Sequence, residues 1–342
     1  MGNRGSRRVW IEPYGGVGDA RRLQVLGRVW RGDPPERVLA RRSWWRNLVS
    51  IVHRMISRGA AGVTVATPED HEASAVTDRE GYFELDVAAP VAASRTGDIA
   101  VTLHIAEDAR QMTGSPARTI VPRPGPRTER LIVSDVDDTL LPMAAYGWLR
   151  AMITVLFGDA FSRRPFPGVG PFFRGLRDGA NGVHRNLHYY VSSSPWNVYG
   201  ILIEFLRVQE IPFDALFLRS WRGRFLPRPP RTHRTHKRRH IDRILRCNEG
   251  IPVILVGDSS AEDPEIYRDV VERHPGRVAA IYIRDVGRGG RASRIAELAA
   301  QCRSSGTVLL LAPDTGPMAE HAARNGWISD HACAQVRAEL EK

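Results

Sequence analysis

The sequence has little lysine, little cysteine and no long apolar run. Two of its 49 Lys and Arg residues are lysines, Lys237 and Lys342. Cys247, Cys302 and Cys333 are odd in number and lack metal-ligand spacing, which disfavours a disulfide framework and fits a reducing cytosol. No run of about 18 apolar residues predicts a spanning helix. The first residues also lack the apolar segment of a secretory signal, so we expect a cytoplasmic protein.

The rest of the composition is that of an ordinary folded protein with an uneven positive charge. With 42% hydrophobic and 25% charged residues in a chain of 342, we expect two folded domains rather than global disorder. Of the net charge of +11, residues 1–60 carry 13 arginines against four acids, a net of +9, and residues 217–240 carry nine basic residues and no acid. Such stretches attract phosphate, nucleic acid or anionic lipid. A coding bias explains the choice of Arg over Lys but not the local excess over acids.

Residues 1–121 are predicted to be rich in β-strands. Strands are predicted at Leu23–Trp30 and Gly62–Ala66, a hairpin at Ala75–Val87 and an edge strand at Ile99–Ile105. Together these strands indicate a small antiparallel β-sandwich.

The segment Ser43–Arg58 has apolar residues at helical spacing among basic ones. Such a basic amphipathic helix can lie on a membrane surface. Packing against the sandwich is the interpretation that we prefer, because an apolar stripe usually faces a core.

The Pro-rich stretch Pro122–Arg127 predicts a linker between a domain at 1–127 and a domain at 128–342. After the linker, strand and helix patterns alternate, which predicts a doubly wound parallel α/β sheet. The predicted strands are Leu131–Val133, Leu187–Val191, Ala215–Leu218, Val253–Val256, Val278–Ile283 and Val308–Leu311. The predicted helices are Tyr146–Phe157, Phe172–Arg177, Asn197–Val208, His240–Arg246, Pro264–Glu272, Arg294–Arg303 and the C-terminal segment.

Acidic residues follow directly on the first predicted strand of this sheet, in the sequence LIVSDVDDTL. Asp135, Asp137 and Asp138 come within four residues, and Thr139 follows. Buried carboxylates are costly unless they are solvated, hydrogen-bonded or bound to a cation. The carboxyl end of a strand is also where open α/β sheets bind ligands. Asp135 and Asp137 can therefore face one pocket, where one attacks and the other moves protons. A solvated acidic turn or a loose cation site is the alternative.

Two further predicted strand ends or helix starts carry phosphate-binding groups. Ser192, in HYYVSSSPWN, can hold a phosphate beside a helix N-terminus or can simply cap that helix. Lys237, in THKRRHIDRIL, is a lysine in a chain that otherwise uses arginine, and its compact ammonium can bridge a phosphate and a carboxylate. The neighbouring His233, His236 and His240 lack metal-ligand spacing, and we interpret them as solvated basic surface.

A Gly-Asp pair ends the fourth predicted strand of the sheet, in ILVGDSSAEDPEIY. Asp258 can reach a metal ion, and Asp263 can support it from behind or can cap the helix that starts at Pro264. Each of these signals is weak alone. Their order along the chain, with each at a strand end or a helix start, is a much stronger indication of one catalytic site.

The segment DVDDT, followed by Ser192, Lys237 and GDSSAED, resembles the haloacid dehalogenase superfamily of aspartyl phosphatases. More narrowly, the chain resembles the catalytic domain of the actin-patch phosphatidate phosphatase family and its bacterial relatives over roughly residues 128–330, in the segments SDVDDT, YVSSSPWN, HK, GDSSAEDPEIY and AIYIRDV. The Arg- and Pro-rich loop Arg219–Arg231 is a departure from that pattern.

The resemblance implies a role for each matching residue. Asp135 is then the nucleophile, and Asp137 the acid that protonates the leaving group and later activates water. Asp135, Asp137 through its carbonyl, and Asp258 hold Mg²⁺, with Asp263 behind them. Ser192 and Lys237 bind the phosphoryl group, and Thr139 completes this phosphate site by bracing the turn with a hydrogen bond. The list of predicted site residues is Asp135, Asp137, Thr139, Ser192, Lys237, Asp258 and Asp263.

The predicted function is that of a Mg²⁺-dependent phosphatase acting on phosphatidate or another lipid phosphate. A phosphatase of soluble phosphomonoesters or nucleic-acid ends is the alternative, and a non-catalytic scaffold is less favoured. Nucleic acid is a disfavoured partner, because Phe225 is the only aromatic residue in Arg222–Arg239. The apolar helix at Tyr146–Phe157 either packs on the sheet or forms a lip for acyl chains. We expect peripheral contact with an anionic membrane from the cytoplasmic side, and no pattern indicates an oligomeric state.

Overall fold

The computed structural model describes residues 7–34, 59–89, 97–106, 112–140, 165–219, 231–287 and 290–342. Its chain divides into two compact units. One contains the described residues up to Arg123 together with Pro195–Gly200, and the other contains the remaining described residues from Pro124 onward. The helices predicted at Ser43–Arg58 and Tyr146–Phe157 lie outside the described residues, as do residues 220–230 of the Arg-rich loop.

The first unit contains two four-stranded sheets, with strand orders β5-β2-β1-β7 and β4-β3-β6-β8. Its strands are β1 Arg7–Gly18, β2 Arg22–Arg31, β3 Thr64–Thr67, β4 Asp70–Val76, β5 Tyr82–Ala88, β6 Ile99–Ile105, β7 Met112–Thr113 and β8 Ala117–Val121. The pairs are antiparallel except for the parallel pair β1–β7. Alternate residues of both sheets form one core, with Val25 and Phe83 from the first sheet and Val65, Val101 and Leu103 from the second.

The hairpin predicted at Ala75–Val87 is wrong. β4 pairs with β3, whereas β5 pairs with β2 in the other sheet. The turn between β4 and β5 does form, because the Asp78 carboxylate accepts hydrogen bonds from the backbone N–H groups of Glu80 (3.0 Å) and Tyr82 (2.9 Å). Turn residues therefore indicate where the chain reverses, but they do not decide whether the two flanking strands pair with each other.

The edge position predicted for Ile99–Ile105 is also wrong, because β6 has these bounds but lies between β3 and β8. Strands β1, β7 and β8 were not predicted from the sequence. In β1, Pro13 and three glycines weaken the strand pattern. The pairing with β2 shifts register between Pro13 and Gly15, and a Cβ at Gly16 would lie 1.9 Å from the carbonyl oxygen of Gln24. The glycine at position 16 thus permits a close approach of two backbones.

The second unit contains a six-stranded sheet with the order β11-β10-β9-β12-β13-β14. Its strands are β9 Leu131–Ser134, β10 Leu187–Pro195, β11 Ala215–Arg219, β12 Val253–Asp258, β13 Val278–Arg284 and β14 Val308–Ala312. Strands β10, β9, β12, β13 and β14 pair in parallel. This sheet and the two separate sheets of the first unit confirm the predicted combination of an α/β part and a smaller β part.

The described residues from Pro124 onward form seven α-helices. They are α1 Val169–Asp178, α2 Tyr199–Val208, α3 Arg231–Cys247, α4 Asp263–Arg273, α5 Ala292–Ser304, α6 Gly316–Arg324 and α7 Asp330–Leu340. A 3₁₀ turn, Trp196–Val198, precedes α2. No helix in the described ranges is long and apolar enough to cross a membrane.

The strand order reverses between β9 and β12. From β9 the chain adds β10 and β11 on one side, and it then adds β12, β13 and β14 on the other. Such a reversal opens a crevice at the carboxyl ends of the two central strands. Ser134, the last residue of β9, pairs with Tyr190 on one side and with Val256 on the other. The residues that follow each of these positions therefore meet at one edge of the sheet.

Candidate active site

Asp135 lies directly after β9, inside this crevice. Its backbone N–H donates to the carbonyl oxygen of Val256 (2.9 Å), which continues the ladder of β9 with β12 by one residue. Its side chain is buried, and Oδ1 lies 2.9 Å from Nζ of Lys237. Burial raises the pKa of Asp135 well above its usual value, and Lys237 acts against this rise while Asp263 adds to it. The carboxylate is thus desolvated and held by an ammonium.

Lys237 projects from α3 and bridges two carboxylates. Its Nζ lies 2.9 Å from Oδ1 of Asp135 and 2.6 Å from Oδ1 of Asp263. Burial alone would lower the pKa of Lys237, but Asp135 and Asp263 outweigh burial and raise it. The ammonium therefore stays charged. The lysine that stood out in the sequence lies at the centre of the site rather than on the basic surface.

Asp135, Asp258 and Asp263 form a buried acidic trio, with one oxygen from each carboxylate within 4.8 Å of the others. Oδ1 of Asp258 accepts hydrogen bonds from the N–H of Ser260 (2.6 Å) and of Ala261 (3.3 Å), and also from the Ser260 hydroxyl. Burial and the neighbouring Asp263 raise the pKa of Asp258 to about 6. Carboxylate oxygens in this number and proximity are the ligands that hard divalent cations prefer. The trio can therefore hold a metal ion.

Asp263 is the first residue of α4, but Glu262 is the residue in the N-cap position. The Asp263 carboxylate instead contacts Lys237 through Oδ1, and its Oδ2 accepts a long bond from the N–H of Asp258 (3.4 Å). Gly257 allows this approach, since a Cβ there would lie 2.6 Å from Oδ2 of Asp263 and 2.9 Å from Cε2 of Tyr267. The Gly-Asp pair and Asp263 therefore work as one unit, and the capping alternative is not what the structure shows.

Asp137 is held by two serine hydroxyls from β10. Ser192 Oγ donates to its Oδ2 (2.8 Å), and Ser194 Oγ lies 2.9 Å from Oδ2 and 3.2 Å from Oδ1. The Ser194 N–H donates to Ser192 Oγ (2.9 Å). Burial raises the pKa of Asp137, and the two serine hydroxyls act against that rise. Sequence reasoning missed Ser194, although residues 192 and 194 share one face of a strand.

Thr139 is buried, and its hydroxyl makes no hydrogen bond with any residue in the described ranges. The bracing bond implied for this hydroxyl is therefore absent there. Instead, the Thr139 carbonyl oxygen accepts from Nε of Arg284 (3.3 Å), whose Nη2 donates to Thr315 Oγ1 (2.7 Å). The guanidinium carbon lies 4.3 Å from the ring centre of Phe166, and burial lowers the pKa of Arg284 to about 10. Arg284 thus supports the loop after Asp135 from behind.

His236 and His240 are not the solvated surface that the sequence analysis predicted. Both are partly buried, their rings lie 4.6 Å apart, and His240 lies 5.0 Å from the ring of Phe217. Burial lowers the pKa of His240 well below its usual value. The helical spacing of four residues places both rings on the side of α3 that packs inward.

The part of the chain that holds this site is similar to a known family. Residues 130–285 match the model of the family described as "Phosphatidate phosphatase APP1, catalytic domain". This match confirms the resemblance inferred from the sequence motifs. The printed description of that family also agrees with the predicted enzyme class, a phosphatidate-phosphatase-like phosphoric monoester hydrolase.

One curated relative is the uncharacterized protein C29B5.04c of Schizosaccharomyces pombe, which is 24% identical over 216 residues. The aligned region is 63% of this chain and 35% of that protein, so the chain spans about a third of the relative's length.

Two solved structures show only a distant likeness. A chain of the "Pnkp1/Rnl/Hen1 complex" is 12% identical, with a TM-score of 0.33, and the alignment covers 50% of this chain and 55% of that one. The enzyme EndoBT-3987 of Bacteroides thetaiotamicron, with its Man5GlcNAc product, is 9% identical, with a TM-score of 0.21 over 93% and 90% of the two chains. Both scores are too low to support a shared fold.

We expect Mg²⁺ to raise the melting temperature, and to raise it more at pH 7.5 than at pH 5. Because the folded pKa of Asp258 is raised to about 6, the metal-free protein loses stability as the pH rises from about 4 to about 6. A cation that binds the ionised trio offsets this loss. At 100 times its Kd it contributes about 2.7 kcal/mol, or roughly 5–10 °C. Thermal melting in EDTA and in Mg²⁺ at both pH values measures the effect.

The matched variants for this measurement are Asp258→Asn, which removes one carboxylate of the trio, and Asp330→Asn, which removes an exposed carboxylate at the start of α7. The first should lose most of the response to Mg²⁺ and the second should keep it. Equal melting temperatures of the parent protein with and without Mg²⁺ at pH 7.5 would contradict a metal site at the trio.

Proposed function

Because residues 130–285 match a phosphatidate phosphatase catalytic domain, we propose that this chain is a Mg²⁺-dependent phosphatase that works through an aspartyl-phosphate. The observation that carries the proposal is that two aspartates close in the sequence lie in different environments. Asp135 is ion-paired with Lys237, and Asp137, two residues later, is held by serine hydroxyls. We propose further that residues 128–342 are a haloacid dehalogenase-like catalytic domain, and that residues 1–127 form an accessory β-sandwich.

In the first half-reaction, an Asp135 carboxylate oxygen attacks phosphorus while the bond from phosphorus to the ester oxygen breaks. Asp137 supplies a proton to that departing oxygen, so the product is a neutral alcohol. The raised pKa of Asp137 favours the protonated form that this step needs. Ser192 and Lys237 bind the oxygens of the transferring phosphoryl group. Thr139, in the loop that follows Asp135, belongs to the same phosphate site.

In the second half-reaction, the Asp137 carboxylate takes a proton from a water molecule. The oxygen of that water attacks phosphorus, the bond to the Asp135 oxygen breaks, and inorganic phosphate leaves. Asp137 is then protonated again and Asp135 is again a carboxylate. Asp135 and Asp263 raise the pKa of Lys237 before the reaction. In the intermediate, Asp263 and the anionic phosphoryl group remain beside the ammonium, so it stays charged.

The residues that would hold Mg²⁺ are Asp135, Asp258 and the carbonyl group of Asp137, with Asp263 behind them. The buried trio fits such an ion, because its carboxylates bring more negative charge than the Lys237 ammonium offsets. When bound, the ion neutralises charge on the phosphoryl oxygens, which is the main demand of phosphoryl transfer.

A lipid phosphate, with phosphatidate first, is the substrate that we propose. The printed name of the matching family supports this choice, as do the two basic stretches at 1–60 and 217–240. Soluble phosphomonoesters and nucleic-acid ends are the second candidates, since positive charge suits them as well. We also propose a cytoplasmic protein that contacts an anionic membrane peripherally.

Asp135→Asn should reduce phosphate release by at least about 1,000-fold without loss of folding, because the amide cannot attack phosphorus. Phosphate release is measured with Mg²⁺ on phosphatidate in mixed micelles, on p-nitrophenyl phosphate and on phosphorylated oligonucleotides. Asp330→Asn is the control and should keep the parent activity. The parent protein should have its highest kcat/KM on phosphatidate.

Other results of these assays would favour the alternative functions or contradict the mechanism. A highest kcat/KM on oligonucleotide ends or on a soluble ester would favour the second candidates. No turnover of any substrate by the parent protein would favour the scaffold, and full activity of Asp135→Asn would contradict the aspartyl-phosphate mechanism.

Lys237→Arg should lower kcat by on the order of 100-fold, although it keeps the positive charge. The compact ammonium lies within 2.9 Å of two carboxylates, and a planar guanidinium there displaces the phosphoryl group by about 1 Å. Arg239→Lys, on an exposed position of the same helix, is the control. If Lys237→Arg kept the parent kcat, the bridging contacts of Lys237 would not matter for catalysis.

Binding to anionic vesicles should be stronger than to neutral vesicles and should weaken with salt. Each basic residue near an anionic surface contributes about 1 kcal/mol, and such charges are screened within roughly 10 Å at 0.1 M salt. Co-sedimentation with vesicles of both compositions, at low and high salt, measures this binding. Equal binding to the two compositions would argue for a basic surface without a membrane role.

A further inference from the structure

Two serine hydroxyls on one face of β10 converge on a single carboxylate. Ser192 Oγ donates to Oδ2 of Asp137 at 2.8 Å, and Ser194 Oγ lies 2.9 Å from Oδ2 and 3.2 Å from Oδ1. Side chains alternate along a strand, so Ser193 faces the opposite side. Nothing in the catalytic roles above uses Ser194, although it contacts Asp137 as closely as Ser192 does.

The Ser192 hydroxyl has one proton to donate and two possible hydrogen-bond acceptors. Its hydroxyl donates to Asp137 in this structure, and under the proposed function it donates to the phosphoryl group of the substrate. A serine hydroxyl donates one hydrogen bond at a time. When substrate binds, the bond from Ser192 to Asp137 is therefore given up, and the bond from Ser194 is left to hold the carboxyl group.

Ser194 is suited to hold Asp137 through both half-reactions. A hydroxyl can accept a hydrogen bond from a protonated carboxyl group and can donate one to a carboxylate. Oγ of Ser194 reaches both carboxylate oxygens, so either oxygen of Asp137 can carry the proton while the other keeps a partner. The Ser194 N–H also donates to Ser192 Oγ (2.9 Å), which ties the positions of the two hydroxyls together.

We propose that Ser194 is a positioning residue that aims the carboxyl group of Asp137 at the departing ester oxygen once substrate has engaged Ser192. This inference rests on the proposed function. The proton moves from Asp137 to the ester oxygen as the bond from that oxygen to phosphorus breaks and the Asp135–phosphorus bond forms. If Asp137 is held loosely, it transfers this proton more slowly. The resulting decrease in reaction rate grows with the basicity of the leaving oxygen.

The test compares two soluble substrates that differ in their need for a proton. p-Nitrophenyl phosphate releases a weakly basic phenolate, and benzyl phosphate releases a strongly basic alkoxide. Ser194→Ala should lower kcat/KM for benzyl phosphate by about 10- to 100-fold and leave that for p-nitrophenyl phosphate within about threefold. The ratio kcat/KM is the right quantity, because it covers the steps up to the first phosphoryl transfer.

Four further variants separate positioning from a structural role. Ser194→Thr keeps the hydroxyl and should restore most of the activity on benzyl phosphate. Ser193→Ala, on the opposite face of β10, should change neither substrate. Asp137→Ala should show the same selective loss as Ser194→Ala, but a larger one. Ser192→Ala should instead lower kcat/KM for both substrates, because it removes a phosphate ligand.

The outcomes distinguish this inference from the proposed function. An equal loss on both substrates in Ser194→Ala, or no loss on either, overturns the role of Ser194 while the activity of the parent protein still supports a phosphatase. A failure of Ser194→Thr to recover also overturns it. A parent protein that hydrolyses neither substrate, in the presence of Mg²⁺, overturns the proposed function and the inference together.

Discussion

The ammonium of Lys237, held between Asp135 and Asp263, is the interaction on which the rest of the site depends. It lies 2.9 Å from one carboxylate and 2.6 Å from the other, with all three side chains buried. Buried carboxylates of like charge repel one another and lose their hydration, and burial is tolerable only when a partner of opposite charge is close. Lys237 also links α3 to the end of β9 and the start of α4. The same contacts therefore neutralise buried charge and hold these three elements together.

Much of the site could be predicted from the sequence, because residues that follow the strands of a parallel sheet meet at one edge of that sheet. Asp135, Ser192 and Asp258 each follow or end a buried apolar run, and the carboxyl ends of parallel strands share one edge. Lys237 and Asp263 come from helices. Lys237 was found because it is a lysine among arginines, and Asp263 because it closely follows the Gly-Asp pair. The strand ends and the order of these residues therefore carried the prediction, and the reversal of strand order between β9 and β12 is what brings the ends of these strands to one crevice.

What the sequence did not reveal depends on contacts between distant segments. Arg284 lies in a motif that was noticed, but its bond to the Thr139 carbonyl joins residues 145 positions apart. The turn after β4 was predicted, yet β4 pairs with β3 and β5 pairs with β2, because the chain passes from one sheet to the other at this turn. Ser194 was overlooked because a serine in a run of three serines has no distinguishing local pattern until Asp137 is placed beside it.

Asp135 and Asp137 show how neighbouring groups, rather than residue type, set the environment of a carboxylate. Asp138, directly after the pair, has a φ of +55°, a conformation that aspartate tolerates and that turns the chain sharply. Two residues apart, one carboxylate lies against a permanent positive charge and the other against neutral hydroxyls. An ammonium favours the ionised form that a nucleophile needs, whereas a hydroxyl can serve an acid in either protonation state. The different roles that we propose for these two identical side chains thus rest on α3 on one side of the crevice and β10 on the other.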